Sequence, residues 1–216
     1  MRKIQIPCEI RHCKDIGMFG LDRPKQSCKW RSQQCAACYN IKLYRAYKLE
    51  PKDARNERYW EQLTGSQLKD ALATRRLPTN RFRFMTRGEA VTRGADIAKI
   101  KDLCLVNPKV TFWLPTRAWR NSSLWKLAVN QLQPLANLRM LASTDSYTSR
   151  LEYQALIKAG HSTMFFGDDD TVAVEHRYNI KLYRCPKTWN HKHGWCLKCG
   201  RGCFSAKQVH IHLKQH

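Results

Sequence analysis

Hydrophobic and polar positions change their pattern twice along this chain of 216 residues. Residues 1–38 are polar and rich in cysteine and show no sustained helical or strand-like period, which predicts loops. Residues 39–76 contain strong helix formers, and the stretches "LEPKD" and "LTGS" divide them into separate predicted helices. The remainder of the chain alternates between strand-like and helix-like patterns.

The alternating part of the chain determines the predicted fold class. Strands are predicted at residues 81–86, 109–116, 137–143 and 162–166, and again in "TVAVEH" and in the "YNIKLYR" that follows it. Helices are predicted at residues 94–106, 122–132 and 148–159. Such alternation is typical of an α/β protein with a mostly parallel sheet. The chain is too short for a complete eightfold barrel, so a partial (β/α) barrel or an open, mostly parallel sheet is expected.

The heptapeptide "YNIKLYR" occurs twice, at residues 39–45 and 178–184, and each copy adjoins a cysteine. The flanking sequences do not match and no repeat period recurs, so the string by itself does not establish an internal duplication. The first copy continues with Ala46 and Tyr47 at helical spacing. The second precedes Cys185 and Pro186, and a residue before proline favours an extended backbone. We therefore predict a helix for the first copy and a strand for the second.

The charge of the chain predicts its class of partner. The formal net charge is +22, and basic residues occur along the whole length. Such a protein attracts polyanions by neutralising phosphates and releasing counterions, so DNA, RNA or a nucleoprotein is the predicted partner. A membrane is not expected, because the sequence contains no apolar run of spanning length. The start of the chain lacks the apolar segment of a signal peptide, which predicts a cytoplasmic protein.

The first cysteine cluster lies in "CKWRSQQCAAC". Ten cysteines in a reducing compartment indicate metal ligands or redox chemistry rather than disulfides. Cys28, Cys35 and Cys38 supply three thiolates, which are typical of an iron–sulfur cluster with one open iron. A fourth thiolate from Cys8 or Cys13 would instead complete a structural zinc site. The spacing leaves both interpretations open.

The second cluster lies near the end of the sequence and offers two ligand sets that exclude each other. One set consists of Cys185, Cys196, Cys199 and Cys203. The other combines Cys196 and Cys199 with His212 and His216, in the spacing of a two-cysteine, two-histidine zinc finger. That second set requires the two histidines to lie one turn apart on a helix. The clusters also divide the chain into a predicted metal segment at residues 1–38, an α/β core at residues 39–184 and a second metal segment at residues 185–216.

The sequence resembles the phage gene product 88 family over most of its length. The resemblance rests on the order of "CAACY", "RFRFMTRGEA", "NPKVTFWLPTR", "NLRMLAS" and "CPKT…CLKCGRGCF". In that family the final cysteines recur and the histidines do not, so the resemblance implies the four-cysteine set. It also implies a gene carried by a phage or prophage and a protein in the cytoplasm of the bacterial host.

A second resemblance, to the radical S-adenosylmethionine enzymes, concerns the first cluster. Those enzymes are partial (β/α) barrels with three cysteines near the start and a Gly-Glu pair after the next strand. The resemblance implies a [4Fe–4S] cluster on Cys28, Cys35 and Cys38, with Gly88 and Glu89 binding the cofactor. An open iron would chelate the methionine amine and carboxylate, and Glu89 would accept the ammonium. Two features depart from the pattern, because the spacing is C-x6-C-x2-C instead of C-x3-C-x2-C and no clear strand precedes Cys28.

Two further groups of residues are candidates for function. Arg117, Trp119 and Arg120 follow a predicted strand and suit phosphate contact and base stacking, although a core tryptophan with exposed arginines explains the same pattern. The acidic run at residues 168–170 could hold Mg²⁺ in a nuclease-like site, but a solvated turn explains it better. Two classes of function follow from the sequence: an iron–sulfur enzyme that acts on or near nucleic acid, and a non-catalytic, zinc-stabilised DNA- or RNA-binding protein.

Overall fold

Strands from both ends of the chain join in one eight-stranded sheet. A computed structural model of the protein describes residues 9–13, 16–73, 80–190, 196, 199, 203–204 and 207–214. The strands are β1 (Arg11–Cys13), β2 (Met18–Gly20), β3 (Arg81–Arg83), β4 (Thr111–Thr116), β5 (Leu138–Thr144), β6 (Ser162–Phe166), β7 (Tyr183–Arg184) and β8 (His210–Leu213). Their order in the sheet is β1-β2-β3-β4-β5-β6-β8-β7. Only the β1–β2 pair is antiparallel among these strands, which confirms the predicted α/β class with a mostly parallel sheet.

Helices connect the parallel strands. They are α1 (Tyr39–Ala46), α2 (Glu50–Gln62), α3 (Gly65–Ala73), α4 (Gly94–Val106), α5 (Ser122–Leu132), α6 (Arg150–Lys158), α7 (Thr171–Tyr178) and α8 (Pro186–Asn190). Side-chain caps fix three of the starts: Asn121 accepts from the Leu124 N–H, Ser149 forms a capping box with Glu152, and Asp170 accepts from the first N–H groups of α7. Such caps satisfy backbone donors that a helix leaves unpaired at its start.

Different segments of the chain pack on the two faces of the sheet. Phe82 of β3 lies opposite Phe112 of β4, and both are fully buried beneath α2, α3, α4 and α5. Strands β2 to β6 lie side by side in chain order, and crossovers of one hand place their helices on one face. Arg83 and Trp113, the next pair along these strands, face the opposite side. There the segment that contains Cys203 and Phe204 packs against the sheet.

The two copies of "YNIKLYR" have different structures, as predicted. The first copy forms α1. In the second, Tyr178 ends α7, Asn179 takes a left-handed conformation, and Tyr183–Arg184 forms β7 immediately before Cys185. Tertiary context therefore decides the structure of this string.

Two predictions about secondary structure were wrong. The segment "TVAVEH" forms the start of α7 and not a strand, because Asp170 caps it and its apolar residues reach the core at helical spacing. Residues 1–38 are not loops throughout, because Met18–Gly20 forms β2, which is fully buried and pairs in parallel with β3. In the part of the chain that the structure describes, no helix has the length and apolar character needed to cross a membrane.

Candidate cysteine-lined sites

The first cysteine cluster lies at the carboxyl edge of the parallel sheet. Cys28 follows a short 3-10 turn after β2, Cys35 lies within a second turn (Gln33–Ala37), and Cys38 precedes α1. The three thiols line one cavity of about 160 Å³. Residues at or next to the carboxyl ends of β4, β5 and β6 also line it, and so does Glu89, which follows β3. The fold thus unites the three cysteines with the predicted cofactor residue.

In the absence of a bound cation, the electrostatics of this cavity disfavour ionisation of the Cys28 thiol. Burial raises the pKa of the Cys28 thiol to about 12, and the nearby charges of Glu89, Cys35 and Cys38 add to the increase. Arg31 opposes it. A bound cation would reverse this balance, because thiolates and carboxylates stabilise positive charge and a coordinating thiol loses its proton.

Gly88 and Glu89 lie in a tight turn, and the backbone conformation and close contacts at Gly88 require a glycine there. Gly88 has a φ of +81°, and a Cβ there would lie 2.7 Å from the carbonyl oxygen of Arg23 and from Ser27 Oγ. The Glu89 carboxyl is buried, and its Oε1 accepts hydrogen bonds from Thr116 Oγ1 at 2.7 Å and from Val91 N at 3.1 Å.

Both oxygens of the Glu89 carboxylate accept hydrogen bonds. Oε2 accepts one from the backbone N–H of Arg117 at 2.8 Å. The backbone N–H of Ala90 is a further donor to this carboxylate. Burial raises the pKa of Glu89, and the hydrogen bonds from Arg117, Thr116, Val91 and Ala90 oppose that increase.

Buried ion pairs hold the cysteine loop against the helices. Arg23 donates to Glu57 of α2 and pairs with Asp96 of α4 at 3.3 Å. Arg87 pairs with Asp53 at 2.6 Å and with Asp22 at 3.3 Å. The N–H of Arg23 also donates to the carbonyl of Arg87. These contacts join the segment between β2 and Cys28 to the turn that carries Glu89.

The predicted nucleic-acid residues after β4 have separate environments. Arg117 lines the first cavity and pairs with Asp145 at 2.6 Å. Trp119 is buried and donates from Nε1 to the carbonyl of Ser143 at 2.8 Å. The guanidinium of Arg120 lies 4.8 Å from the centre of the Trp119 ring. The burial of Trp119 fits the interpretation as a core tryptophan. Trp119 and Arg120 also border a surface cavity, and nucleic-acid contact by these residues stays a prediction.

Sequence reasoning missed Asp145. It is fully buried, pairs with Arg117, and accepts from the hydroxyl of Ser32, which lies within the cysteine loop. Asp145 directly follows β5, and the carboxyl ends of strands are where α/β proteins place functional side chains. That signal was present in the sequence.

The second cluster surrounds a separate cavity on the other face of the sheet. Cys185, Cys196, Cys199 and Cys203 line this cavity of about 90 Å³ together with Arg83 and Trp113. Burial raises the pKa of Cys196 to about 11, with further increases from the charges of Cys185 and Cys199. Burial also raises the pKa of Cys203, and the other three thiols add to the increase. The structure thus brings the four-cysteine set together.

The alternative ligand set, with two histidines, does not fit. His212 lies on strand β8 and not on a helix. It is fully buried, its Nδ1 lies 3.0 Å from Thr171 Oγ1, and its Nε2 lies 3.2 Å from the carbonyl oxygen of Gly167. Both ring nitrogens are therefore engaged away from the cysteines. His216 and Cys8 lie outside the described residues, and Cys13 belongs to β1.

The acidic run after β6 is structural. Asp170 caps α7 and lies 3.5 Å from Arg184, while Asp169 lies 3.6 Å from Arg177. These roles favour the turn interpretation over a Mg²⁺ site.

In neither cluster are the described cysteine side chains placed around one common metal position. Among the described residues, no three histidine, cysteine, aspartate or glutamate side chains are placed to hold a single metal ion. The thiols of both clusters instead border cavities. Cys104 differs from them, because it is buried in the apolar core on α4 and burial alone raises its pKa.

The comparisons with known proteins identify a family. Neither the curated proteins nor the solved structures gave a match, so they do not support the resemblance to radical S-adenosylmethionine enzymes. A family model described as "Gene product 88" matches residues 10–205. This range contains β1 to β7 and every cysteine from Cys13 to Cys203. The chain belongs to the phage gene product 88 family.

Proposed function

We propose that this protein is an iron–sulfur enzyme in which Cys28, Cys35 and Cys38 hold a [4Fe–4S] cluster beside a site for S-adenosylmethionine. The observation that carries the proposal is the shared cavity of the three thiols and Glu89 at the carboxyl edge of the sheet. Ligands of α/β proteins bind at this edge. Fifty residues of chain, 39–88, separate Cys38 from Glu89, so their meeting is a property of the fold.

The strand order supports the proposal. The loop with the cysteines follows β2, the turn with Gly88 and Glu89 follows β3, and these strands are parallel neighbours. A strand, the cysteines, the next strand and then a Gly-Glu pair is the arrangement that the resemblance to radical S-adenosylmethionine enzymes implies. The missing first strand was one of two departures from that pattern, and β2 supplies it. The longer spacing between Cys28 and Cys35 remains as the other.

The donor set fits a cluster. Each thiolate of an iron–sulfur cluster binds a different iron, so the thiols must surround a volume. A single zinc ion needs thiolates that converge on it at about 2.3 Å. Thiols that border a cavity match the first requirement. Three thiolates leave one iron open to a cofactor, which supplies the radical chemistry when bound. As an acidic residue that borders the cavity, Glu89 is suited to an ammonium group of that cofactor.

The charge of the chain supports nucleic acid as the partner. A net charge of +22 favours association with phosphates over any partner of low charge. We place the chemistry on or near DNA, RNA or a nucleoprotein.

A second candidate function rests on the other cluster. Cys185, Cys196, Cys199 and Cys203 offer the number of thiolates that completes the coordination of structural zinc. These thiols border a cavity, so they would have to move together to bind one ion. If the first cluster also binds zinc, the protein is a non-catalytic, zinc-stabilised nucleic-acid-binding protein.

Metal analysis of anaerobically purified protein separates the two candidates. We expect a brown protein with about four iron and four sulfide per chain, and S-adenosylmethionine consumption under dithionite. Cys35→Ser should lose the iron, whereas Cys104→Ser, at a buried thiol outside both cavities, should keep it. A colourless protein that contains zinc at both clusters would establish the second candidate and overturn the first.

A further inference from the structure

The segment that carries the first cysteine cluster is basic along its length. Residues 25–48, which we call the cationic segment, contain six basic residues and no acidic residue. The helices α2, α3, α4, α6 and α7 differ from it, because each of them combines basic with acidic residues. The basic residues of the cationic segment are Lys25, Lys29, Arg31, Lys42, Arg45 and Lys48.

The charges of the cationic segment are not balanced by carboxylates. Lys25 is half-buried, and the other five basic residues are exposed. None of the six forms an ion pair within the part of the chain that the structure describes. Arg31 donates to the carbonyl oxygens of Cys28 and Lys25, at 2.9 and 2.8 Å, and these neutral acceptors leave its charge in place. The positive charge of this surface is therefore available to an anionic partner.

Direct contacts join the two halves of the cationic segment beside the first cavity. Arg31 lines that cavity and contacts the backbone of Lys25. The N–H of Lys25 donates to the hydroxyl of Tyr44 at 3.2 Å, and Lys25 Nζ lies 4.3 Å from the centre of the Tyr44 ring. Tyr44 belongs to α1, which begins directly after Cys38 and is about 12 Å long at 1.5 Å per residue. The basic surface thus continues from the edge of the cavity onto α1.

Aromatic residues are interleaved with these charges. Trp30 lies between Lys29 and Arg31 and borders the first cavity. Tyr47 directly follows α1, and 62% of its surface is exposed. Proteins that bind single-stranded nucleic acids combine a basic surface, which follows the phosphates, with aromatic rings on which bases stack. An acidic protein would supply carboxylates but no bases for such rings, so the combination favours a nucleic-acid strand.

We infer that the cationic segment binds a single-stranded nucleic acid and holds it at the edge of the first cavity. The inference rests on the proposed function for the class of partner and adds the surface and the form of the strand. Lys42 and Arg45 are exposed and three residues apart on α1, so they lie on one side of the helix and contact neighbouring phosphates. Tyr47 supplies a ring for one base. A single strand also suits chemistry on a base, which must leave the stack of a duplex before it can enter a site.

A competing role for the cationic segment is general solubility. In that role, binding of nucleic acid depends on the net charge of the whole protein and not on the position of each charge. The test therefore compares equal losses of charge at two places.

The test is fluorescence anisotropy of the full chain with labelled single strands of DNA and of RNA, each about 16 nucleotides long. We expect the double variant Lys42→Gln with Arg45→Gln to lower the affinity at about 50 mM salt by at least about tenfold. The slope of log affinity against log salt should become shallower by about 1.4, or about 0.7 for each lost phosphate contact. The control is Lys109→Gln with Lys158→Gln. Both control lysines are exposed and lie at the amino edge of the sheet, before β4 and at the end of α6, so affinity and slope should stay close to those of the unaltered protein.

Tyr47 gives a second, independent measurement. Tyr47→Ala should weaken binding of both single strands and leave the salt slope unchanged, because the ring carries no charge. Tyr47→Phe keeps the ring and should retain the affinity. Tyr183→Ala, at an exposed tyrosine on β7, is the matched control and should bind like the unaltered protein.

Four results would overturn the inference. They are an unchanged affinity in the Lys42 and Arg45 double variant, an equal loss in its control, tighter binding of duplex than of single strands, and equal binding of polyglutamate or of anionic lipid vesicles with the same dependence on the two residues. The proposed enzyme fails separately, in the metal analysis. A protein without iron whose binding of single strands still depends on Lys42 and Arg45 would retain this inference and reject the iron–sulfur enzyme.

Discussion

The hydroxyl of Ser27 accepts a hydrogen bond from the backbone N–H of Glu89, with the two atoms 2.8 Å apart. The same hydroxyl donates to the carbonyl oxygen of Pro24 at 2.7 Å. Ser27 immediately precedes Cys28, so one small side chain joins the loop of the first cluster to the turn of the candidate cofactor ligand. The distance between the thiol and the carboxylate is thereby fixed before any ligand binds, which is the preorganisation that a binding site requires.

Ser27→Ala should destabilise the protein and loosen the first cavity. The buried N–H of Glu89 would lose its acceptor, and an unpaired buried donor costs about 1–3 kcal/mol. Urea denaturation should show this loss, and iron retention after exposure to a chelator should fall. Ser66→Ala, at an exposed position on α3, is the control and should change neither quantity. Equal stability of the two variants would contradict the prediction.

Gly88→Ala should cost more than an alanine at another glycine with the same backbone conformation. Gly88 and Gly160 have φ values of +81° and +80°, so both substitutions carry the left-handed penalty of about 1–2 kcal/mol. A Cβ at Gly88 would also lie 2.7 Å from the carbonyl oxygen of Arg23, whereas one at Gly160 would meet nothing within 4 Å.

The difference between the two glycine variants therefore isolates the close contact. We expect Gly88→Ala to have the lower free energy of unfolding and to lose iron, and Gly160→Ala to keep iron. Thermal melting and iron content measure both effects. If the two variants have the same melting temperature, the turn has room for a side chain and the close packing at Gly88 does not contribute to the free energy of unfolding.

Asp96 should make the protein sensitive to acid. Burial raises the pKa of Asp96, but hydrogen bonds from Thr92 and Trp60 and the charge of Arg23 outweigh burial, so the pKa lies below its ordinary value of 3.8. A carboxylate with a lowered pKa stabilises the folded state above pH 3.8, and this stability is lost as the pH falls through the lowered value.

Asp96→Asn removes that charge from Arg23 and should destabilise the protein at neutral pH by about 1.5–3 kcal/mol. The free energy of unfolding, measured between pH 2 and pH 7, should depend less steeply on pH below 3.8 in this variant than in the unaltered protein. Asp70→Asn, at an exposed position, should reproduce the unaltered curve. A variant curve parallel to the unaltered one across the acid range would refute the role of Asp96.

Local pattern was sufficient where one element carries its own signals. Three elements have the predicted bounds: the helices Gly94–Val106 and Ser122–Leu132 and the strand Ser162–Phe166. Their hydrophobic period and the residues that end them lie within or next to the segments themselves. Strand β2 has three residues, follows Gly17 and ends in Gly20. It forms because β3 pairs with it, although about sixty residues separate the two strands along the chain. Pairing at such a distance has no local signal, so the sequence did not show that a strand precedes Cys28.

The same limit applies to the site. The cysteines could be predicted because their spacing is itself the signal. The ion pair of Arg117 with Asp145 and the packing of Arg83 against Trp113 depend on which side chains the parallel register places together. Alternation along "RFRF" separates the arginines from the phenylalanines, but it does not show which arginine has a partner.

Nucleic-acid binding should weaken steeply with salt. If about six phosphates are neutralised, the affinity for duplex or single-stranded DNA should fall by about a thousandfold between 50 and 200 mM salt, because counterions are released on binding. Filter binding or fluorescence anisotropy at several salt concentrations gives the slope. Polyglutamate should compete weakly, since its charge is less dense than that of a nucleic acid. A protein that binds neither form of DNA nor RNA at about 50 mM salt would lack the predicted partner.

Cys203 and Cys104 offer a matched test of the second cluster. Burial is the chief cause of the raised pKa values of both thiols. Cys203 lies among three other thiols on the face of the sheet opposite helices α2 to α5. Cys104 lies on α4, among apolar side chains. If the four thiols hold zinc, Cys203 contributes to a site that can supply on the order of 10 kcal/mol to folding. Cys104 contributes only its packing, on the order of 1 kcal/mol.

We therefore expect Cys203→Ala to release zinc and to detach the segment that covers Met18, Trp113 and Met164. Cys104→Ala should retain zinc and lose little stability. Zinc content, thermal melting and protease cleavage after β7 distinguish the two variants. Because the Phe204 ring packs against Trp113 at a tilt of 53°, detachment should also change tryptophan fluorescence in Cys203→Ala alone. Equal zinc content and equal melting temperatures in the two variants would mean that the second cluster binds no structural metal and that packing alone holds the segment on the sheet.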